Sequence, residues 1–310
     1  MASAEKAQRN VRVLVTGAGG LIGGAAALRL SQTSGLALTV TARRLLSGYQ
    51  CQLPGDLLDA ACPALTEAFD WVVHCAAAIP GGGLSPEEAA EKNARLDGNV
   101  LEACIKHGSR LVYVSAAAYD HFSPVEKTEE APLCPMNAYQ AEKLVSEKCM
   151  LESGVPCAAA RVTSPYGRSQ QHMTVMKRFV LDAVQTGCVT YFGAGNRTQD
   201  FIHVSDIARA VAQMITLEAR GVYNIGSGTA LSMKQLAEGT AAAAEKAGCG
   251  PVRVEAADRA DPQEAYRALI SIGKAQNELD WRPEASMADE LTAWCGGVKD
   301  VKAEKEASRP

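Results

Sequence analysis

The sequence predicts an α/β fold, a doubly wound parallel sheet followed by a smaller C-terminal α/β region that holds substrate. Three observations predict it. A short β-branched apolar run at residues 11–16, VRVLVT, leads directly into a glycine-rich turn. An Ala/Leu-rich helical stretch follows that turn. Further apolar runs then recur between helical patterns, and strands alternating with helices at this spacing make parallel sheets covered on both faces.

The first strand and its turn carry the most information. In GAGGLIGGAAALRL, Gly17, Gly20 and Gly23 have the spacing G-x-x-G-x-x-G. Gly17 suits the tight turn, Gly20 lets backbone approach a pyrophosphate, and Gly23 lets helix and strand pack closely. The pyrophosphate would sit at the helix N-terminus, where free N–H groups favour anions. This is the pattern of a Rossmann-type dinucleotide site.

The second strand spans 36–44, LALTVTARR. An acidic residue at its end would hold the ribose 2′-hydroxyl of NAD. That place holds Ala42, followed by Arg43 and Arg44, and two guanidiniums suit a 2′-phosphate. NADP is therefore favoured, with NAD kept open. A third strand is expected to end within 54–59, PGDLLD, with Asp56 meeting the adenine ring. A fourth is expected within 70–80 and a fifth within 110–120, with a helix over 87–107.

Composition narrows the function classes. The chain has 310 residues, 47% hydrophobic and 21% charged, with a formal net charge of -4. That balance leaves no electrostatic footprint for nucleic acid. The cysteines are scattered without a C-x-x-C pair, so neither a metal site nor a disulfide framework is expected. A polar N-terminus and the absence of a long apolar run imply a cytoplasmic protein without a membrane span. Residues 299–310 read as a flexible polar tail.

The catalytic candidates come from the fifth strand and the helix after it. The strand delivers Ser115, and NAYQAEKLVSEK then places Tyr139 and Lys143 four residues apart, on one helical face. A phenol with a pKa near 10 is a poor base, and a nearby cation is expected to favour the phenolate. With the Ser115 hydroxyl on the same substrate oxygen, the three can move a proton while a nicotinamide moves a hydride.

At this point the sequence resembles the extended short-chain dehydrogenase/reductase family, the NAD-dependent epimerase/dehydratase group of nucleotide-sugar enzymes. The motifs that carry the resemblance are TGAGGLIG, GDLLD, VVHCAA, YVSAAAYD, YQAEK, RVTSPYG, QDFIHVSDIA, VYNIGSG and ELDWRP, spread from Val11 to Trp294. The resemblance implies a Ser115–Tyr139–Lys143 triad and cofactor contacts from Gly17, Gly20, Gly23, Asp56 and Lys143. Leu21, Ile22, Leu57, Ala76 and Tyr139 complete the expected cofactor surface, with Arg43 and Arg44 at its ribose end. It also implies a dinucleotide-binding domain over 1–167, to which 199–225 returns, and a substrate domain from 168–198 and 226–298. Substrate contacts are expected from Ser164, Arg197 and Arg259, the two arginines being either diphosphate ligands or solvated surface residues. A homodimer through helices near 87–107 and 138–153 is implied as well.

Departures from the family pattern bear on the reaction. Ala116 and Ala117 stand where dehydratases of the family carry an Asp-Glu pair, which argues against elimination of water. Ala117 also replaces the cysteine of the GDP-fucose synthases. His172 is either a second acid or a polar loop residue. Ser164 and Gln199 replace Asn and Arg, two contacts to a nucleotide diphosphate. The reading is thus an NAD(P)-dependent 4-epimerase or 4-ketoreductase of a nucleotide sugar. A reductase of a non-nucleotide carbonyl compound is the enzyme alternative, and a non-catalytic NADP-binding regulator the non-enzyme one.

Overall fold

The computed structural model describes residues 10–307, with side chains to 302. The first half alternates strictly. It contains β1 (Val11–Thr16), α1 (Leu21–Ser31), β2 (Leu36–Thr41), α2 (Pro63–Thr66), β3 (Trp71–His74), α3 (Pro86–His107), β4 (Arg110–Ala116), α4 (Ala138–Glu152) and β5 (Cys157–Val162). The second half contains β6 (Ser164–Tyr166), α5 (Val175–Thr186), β7 (Cys188–Tyr191), β8 (Thr198–His203), α6 (Val204–Thr216) and β9 (Gly221–Ile225). After these come β10 (Ala230–Ser232), α7 (Met233–Lys246), β11 (Arg253–Ala256), α8 (Gly273–Glu278) and α9 (Met287–Ala307).

Six strands form the main sheet in the order β2-β1-β3-β4-β5-β9, every pair parallel. Alternation along each strand serves two cores. Val13 and Val15 of β1 face a cluster with Ala26, Val211 and Trp281, whereas Leu14 between them faces Val100, Leu111 and Tyr113. Helix α3 starts on a capping box, with Ser85 accepting from the Glu88 N–H and the Glu88 carboxylate accepting from the Ser85 N–H.

The expected third strand is reduced to one bridge, Val40 to Gln52. Backbone bonds from Val40 to Cys51, from Leu53 to Val40 and from Gly55 to Ala42 follow the end of β2, while the Leu53 carbonyl accepts from the Thr41 hydroxyl at 2.7 Å instead of from a backbone N–H. Residues 56–59 instead make a turn closed by the Asp59 N–H on the Asp56 carbonyl.

Beyond β5 the chain builds two smaller sheets, β10-β8-β6 and β11-β7. They cover a separate core of Phe179, Leu236, Trp294 and neighbours from α5, α7 and α9. Strand β8 belongs to the three-stranded sheet, so the return of residues 199–225 to the main sheet begins only at α6, which packs on α1. The segment 299–307, expected as a flexible tail, continues α9; residues 308–310 lie outside the described residues. Its polar composition is compatible with helix because Lys, Glu and Ala are strong helix formers. Among the described residues no helix is long and apolar enough to cross a membrane.

Asp206 ties α6 to the C-terminal segment. Its Oδ1 accepts from the Glu284 N–H at 3.0 Å and from Arg209 at 2.7 Å, and its Oδ2 accepts from the Ala285 N–H at 3.1 Å. Its carbonyl accepts from the indole of the buried Trp281 at 2.9 Å. Replacing Asp206 with Ala leaves the Glu284 and Ala285 N–H groups without their acceptor and removes one of the acceptors of Arg209, so we expect a loss of about 2–4 kcal/mol, read by chemical denaturation.

Candidate active site

The glycines of the first turn are required by space. Gly17 has φ +67°, and a Cβ there would lie 2.7 Å from the backbone of Ala76. A Cβ on Gly23 would collide with the Gly17 carbonyl. The turn and α1 are therefore locked against the end of β3. Gly20 caps α1 without a side chain, and the first turn carries no acidic residue, so its N–H groups are left for an anionic ligand. A dinucleotide pyrophosphate fits this cradle: its walls are backbone, and no side chain fills it. Leu21 and Ile22 form the first turn of α1, both half-buried, and Ala76 closes the opposite side.

Arg43 and Arg44 follow β2, both exposed, and neither takes part in an ion pair among the described residues. No acidic residue occurs between Thr41 and Gly55. Asp56 is exposed, and its Oδ1 accepts from the Leu58 N–H at 3.0 Å, while Leu57 beside it is buried.

Ser115 lies in the last turn of backbone before β4 ends, 5% exposed, and its Oγ has no partner among the described residues. A buried hydroxyl without a partner is costly unless a ligand supplies one. Tyr139 and Lys143 stand one turn apart on α4, whose N-cap Asn137 accepts from the Gln140 N–H at 2.9 Å. Further along α4, Glu147 receives the buried Arg161 of β5 at 2.6 Å, which fixes the helix against the sheet.

The electrostatics differ from the sequence expectation. Lys143 is 3% exposed; its ammonium lies 3.5 Å from Asp97 Oδ2 and 4.0 Å above the Tyr113 ring. Burial pushes the Tyr139 phenol up to about 12, reinforced by the Asp97 and Glu142 carboxylates. In the ligand-free protein the Lys143 ammonium faces Asp97 and the Tyr113 ring. Without ligand, Tyr139 is therefore a proton donor at neutral pH.

Four residues of this region were missed from sequence: Thr16, His74, Asp97 and Glu142. A signal existed for Asp97. The buried stripe of α3 reads Ala89, Asn93, Asp97, Val100, Cys104, so two polar residues at helical spacing interrupt an otherwise apolar face. For Glu142 nothing in the sequence separates it from a solvated helix residue.

The expected substrate residues are spread around the second half. Ser164 is half-buried in β6. Arg197 is engaged: its Nε lies 3.1 Å from Asp261 Oδ2, and it donates to Gln263 at 2.9 Å. Arg259 is exposed, stacked 4.7 Å over the Phe192 ring, with no carboxylate partner among the described residues. His172 is exposed. The segment carrying Tyr266 closes onto the first half, where that ring stacks on His121 at 4.4 Å.

The fold agrees with what known proteins show. The sequence pattern of the "NAD dependent epimerase/dehydratase family" matches residues 13–226. The chain belongs to that family. As an epimerase/dehydratase-family protein it is an enzyme, and its relatives span several reactions. It is 29% identical to the dTDP-glucose 4,6-dehydratase of Streptomyces niveus, over 94% of each chain. It is also 29% identical to the UDP-glucose 4-epimerase of Corynebacterium glutamicum, over 88% of this chain and 91% of that one. Among solved structures it resembles MoeE5 in complex with UDP-glucose and NAD, with 26% identity, a TM-score of 0.78, and 94% and 99% of the two chains covered. The fold is shared as well with the UDP-glucuronic acid 4-epimerase of Bacillus cereus, at 23% identity, TM-score 0.79 and coverage of 94% and 100%.

Glu142 gives a testable signature of the site. Burial pushes its carboxyl up to about 7, partly offset by the Ser146 hydroxyl donating at 2.6 Å, and its second oxygen has no partner among the described residues. A raised carboxyl favours its protonated form in the folded state. Stability is therefore intact below the ordinary carboxylate value near 4.5 and drains as pH rises from there through about 7. The full penalty is at most about 3 kcal/mol. Glu142→Gln removes it, so the variant should gain on the wild type in thermal melts at pH 8 and not at pH 4.

Proposed function

We propose that this enzyme is an NADP(H)-dependent oxidoreductase acting at a hydroxyl or keto carbon of a nucleotide sugar, working as a 4-ketoreductase rather than a 4-epimerase. The observation that carries the reading is the pair of exposed, unpaired guanidiniums of Arg43 and Arg44 at the end of β2, beside a site where Tyr139 stands one turn from buried Lys143 and the Ser115 hydroxyl has no partner among the described residues. The nucleotide-sugar class is supported by the relatives' substrates and by the exposed Arg259 over Phe192, a cation and an aromatic face suited to diphosphate and base. NADP(H) is supported by the free Arg43 and Arg44 and by the lack of a carboxylate at the end of β2.

In this reading the backbone of Gly17–Gly23 and the N-terminus of α1 hold the pyrophosphate. Arg43 and Arg44 hold the 2′-phosphate. Bound NADPH supplies the hydride that adds to the keto carbon. Ser115 donates a hydrogen bond to the ketone oxygen, and Tyr139 gives that oxygen its phenolic proton, so carbonyl becomes alcohol and Tyr139 regains a proton from solvent. Lys143 steadies the phenolate left behind. Ala116 and Ala117 place no acid–base pair next to Ser115, so elimination of water has no machinery there.

One observation favours a second reading. Arg197 is paired with Asp261, and Gln199 stands where a diphosphate-binding Arg was expected. A non-nucleotide ketone would need neither charge.

The experiment is an NADPH-oxidation assay over a panel of nucleotide-linked 4-ketosugars and non-nucleotide ketones, with Tyr139→Phe as the control. Turnover of a nucleotide-linked ketone, lowered at least about 100-fold by Tyr139→Phe with NADPH affinity retained, supports the proposal. Turnover confined to non-nucleotide ketones moves the assignment to the second reading. In parallel, Arg43→Ala/Arg44→Ala should weaken NADPH by about 10-fold or more in a fluorescence titration and leave NADH unchanged. Nucleotide released from the denatured wild type should not be tightly held NAD, which would instead mark an epimerase.

A further inference from the structure

We infer that Asp97 is the positioning residue of this site: its carboxylate, clamped by His74 and Tyr113, holds the Lys143 ammonium in the core one helical turn from Tyr139 and ties it through Thr16 to the start of the glycine-rich turn. The inference rests on the roles given above to Tyr139 and Lys143.

The hydrogen bonds assign every proton along the chain. Thr16 Oγ1 accepts from the N–H groups of Cys75 and Ala76, both at 3.2 Å. Its own proton is left to donate to His74 Nδ1, 2.7 Å away. His74 thus carries its proton on Nε2 and donates it to Asp97 Oδ1 at 2.9 Å. The Tyr113 hydroxyl donates to Asp97 Oδ2 at 2.6 Å, and the same oxygen faces the ammonium at 3.5 Å. Asp97 is 1% exposed and His74 also 1%. All its donors aim at an anion, and although burial works against it, they and the ammonium hold its carboxyl down to about 2.

The groups facing Asp97 come from three elements besides its own. They are His74 at the end of β3, Tyr113 on β4, and Tyr139, Glu142 and Lys143 on α4, with the Cys75 thiol next to His74 facing Lys143. Lys143 is the one cation that ion-pairs in this set. It cannot neutralise both carboxylates. Asp97 takes the ammonium, and Glu142 accommodates by holding a proton more readily than an ordinary carboxyl. The Tyr139 phenol is pushed up first by burial, and the charge on Asp97 adds to that rise. A merely structural polar cluster would brace α3 against the sheet. This one also sets which side of the proton transfer Tyr139 starts from.

The test uses the full chain labelled with 13Cζ-tyrosine, titrated by NMR. The resonance missing from Tyr139→Phe identifies Tyr139. In the wild type this phenol should ionise above about 10. In Asp97→Asn, which keeps shape and loses charge, it should ionise at least about one unit lower. Asp97→Ser, smaller and equally neutral, carries the same expectation if the first variant folds poorly, and Asp97→Glu should restore the wild-type value in part. A wild-type phenol ionising below 10, or neutral variants that leave it within a few tenths of a unit, would overturn the inference. The proton-transfer role is separable: it falls if Tyr139→Phe turns over normally, whatever the titration shows.

Discussion

The polar groups between β1, β3, β4 and α3 are arranged around one buried positive charge, the Lys143 ammonium. A cation removed from water must be matched by an anion whose remaining lone pairs are also satisfied. Asp97 supplies the anion, Tyr113 and His74 satisfy it, and Thr16 satisfies His74. The last link stands at the end of β1, directly before Gly17. The helix of Tyr139 and Lys143 and the glycine-rich turn are thus coupled through five side chains on five different elements, and none of the five can be moved alone.

The two ends of the site treat charge differently. After β2, Arg43 and Arg44 are exposed and take part in no ion pair among the described residues, and α1 has no side-chain cap, so the positive potential there is not matched by carboxylates. At the substrate end, Arg197 is spoken for by Asp261, and only Arg259 stays available, resting on Phe192. A ligand that displaced the Asp261 contact would need to offer a better anion than a carboxylate in a preformed pair.

Much of this was legible in the sequence. Strand β1, the glycine turn, α3, β4 and the Tyr139–Lys143 helix lay where the residue patterns put them, because buried parallel strands and amphipathic helices are written in hydrophobic period. The third strand was not, since residues 51–55 touch the end of β2 through three backbone bonds and then turn at Asp56. Nor was the state of Tyr139. Spacing alone placed a cation beside the phenol and implied a lowered pKa, but burial raises it, reinforced by Asp97, which lies forty-six residues from Lys143 along the chain. Long-range electrostatics has no local signature. The polar interruption of the α3 stripe was the trace it left.

The late position of β9 and Trp281 in the chain has a consequence for how the molecule is made. The edge beside β5 is covered only by residues 221–225, and the face carrying Val13 and Val15 is sealed only when Trp281 arrives. Until then the first half exposes an apolar face and an unpaired strand edge. Contacts of this sequence separation make closure slow and leave the partly folded chain prone to association. Dilution, low temperature or a chaperone during refolding would favour the native sheet over aggregates formed along that open edge.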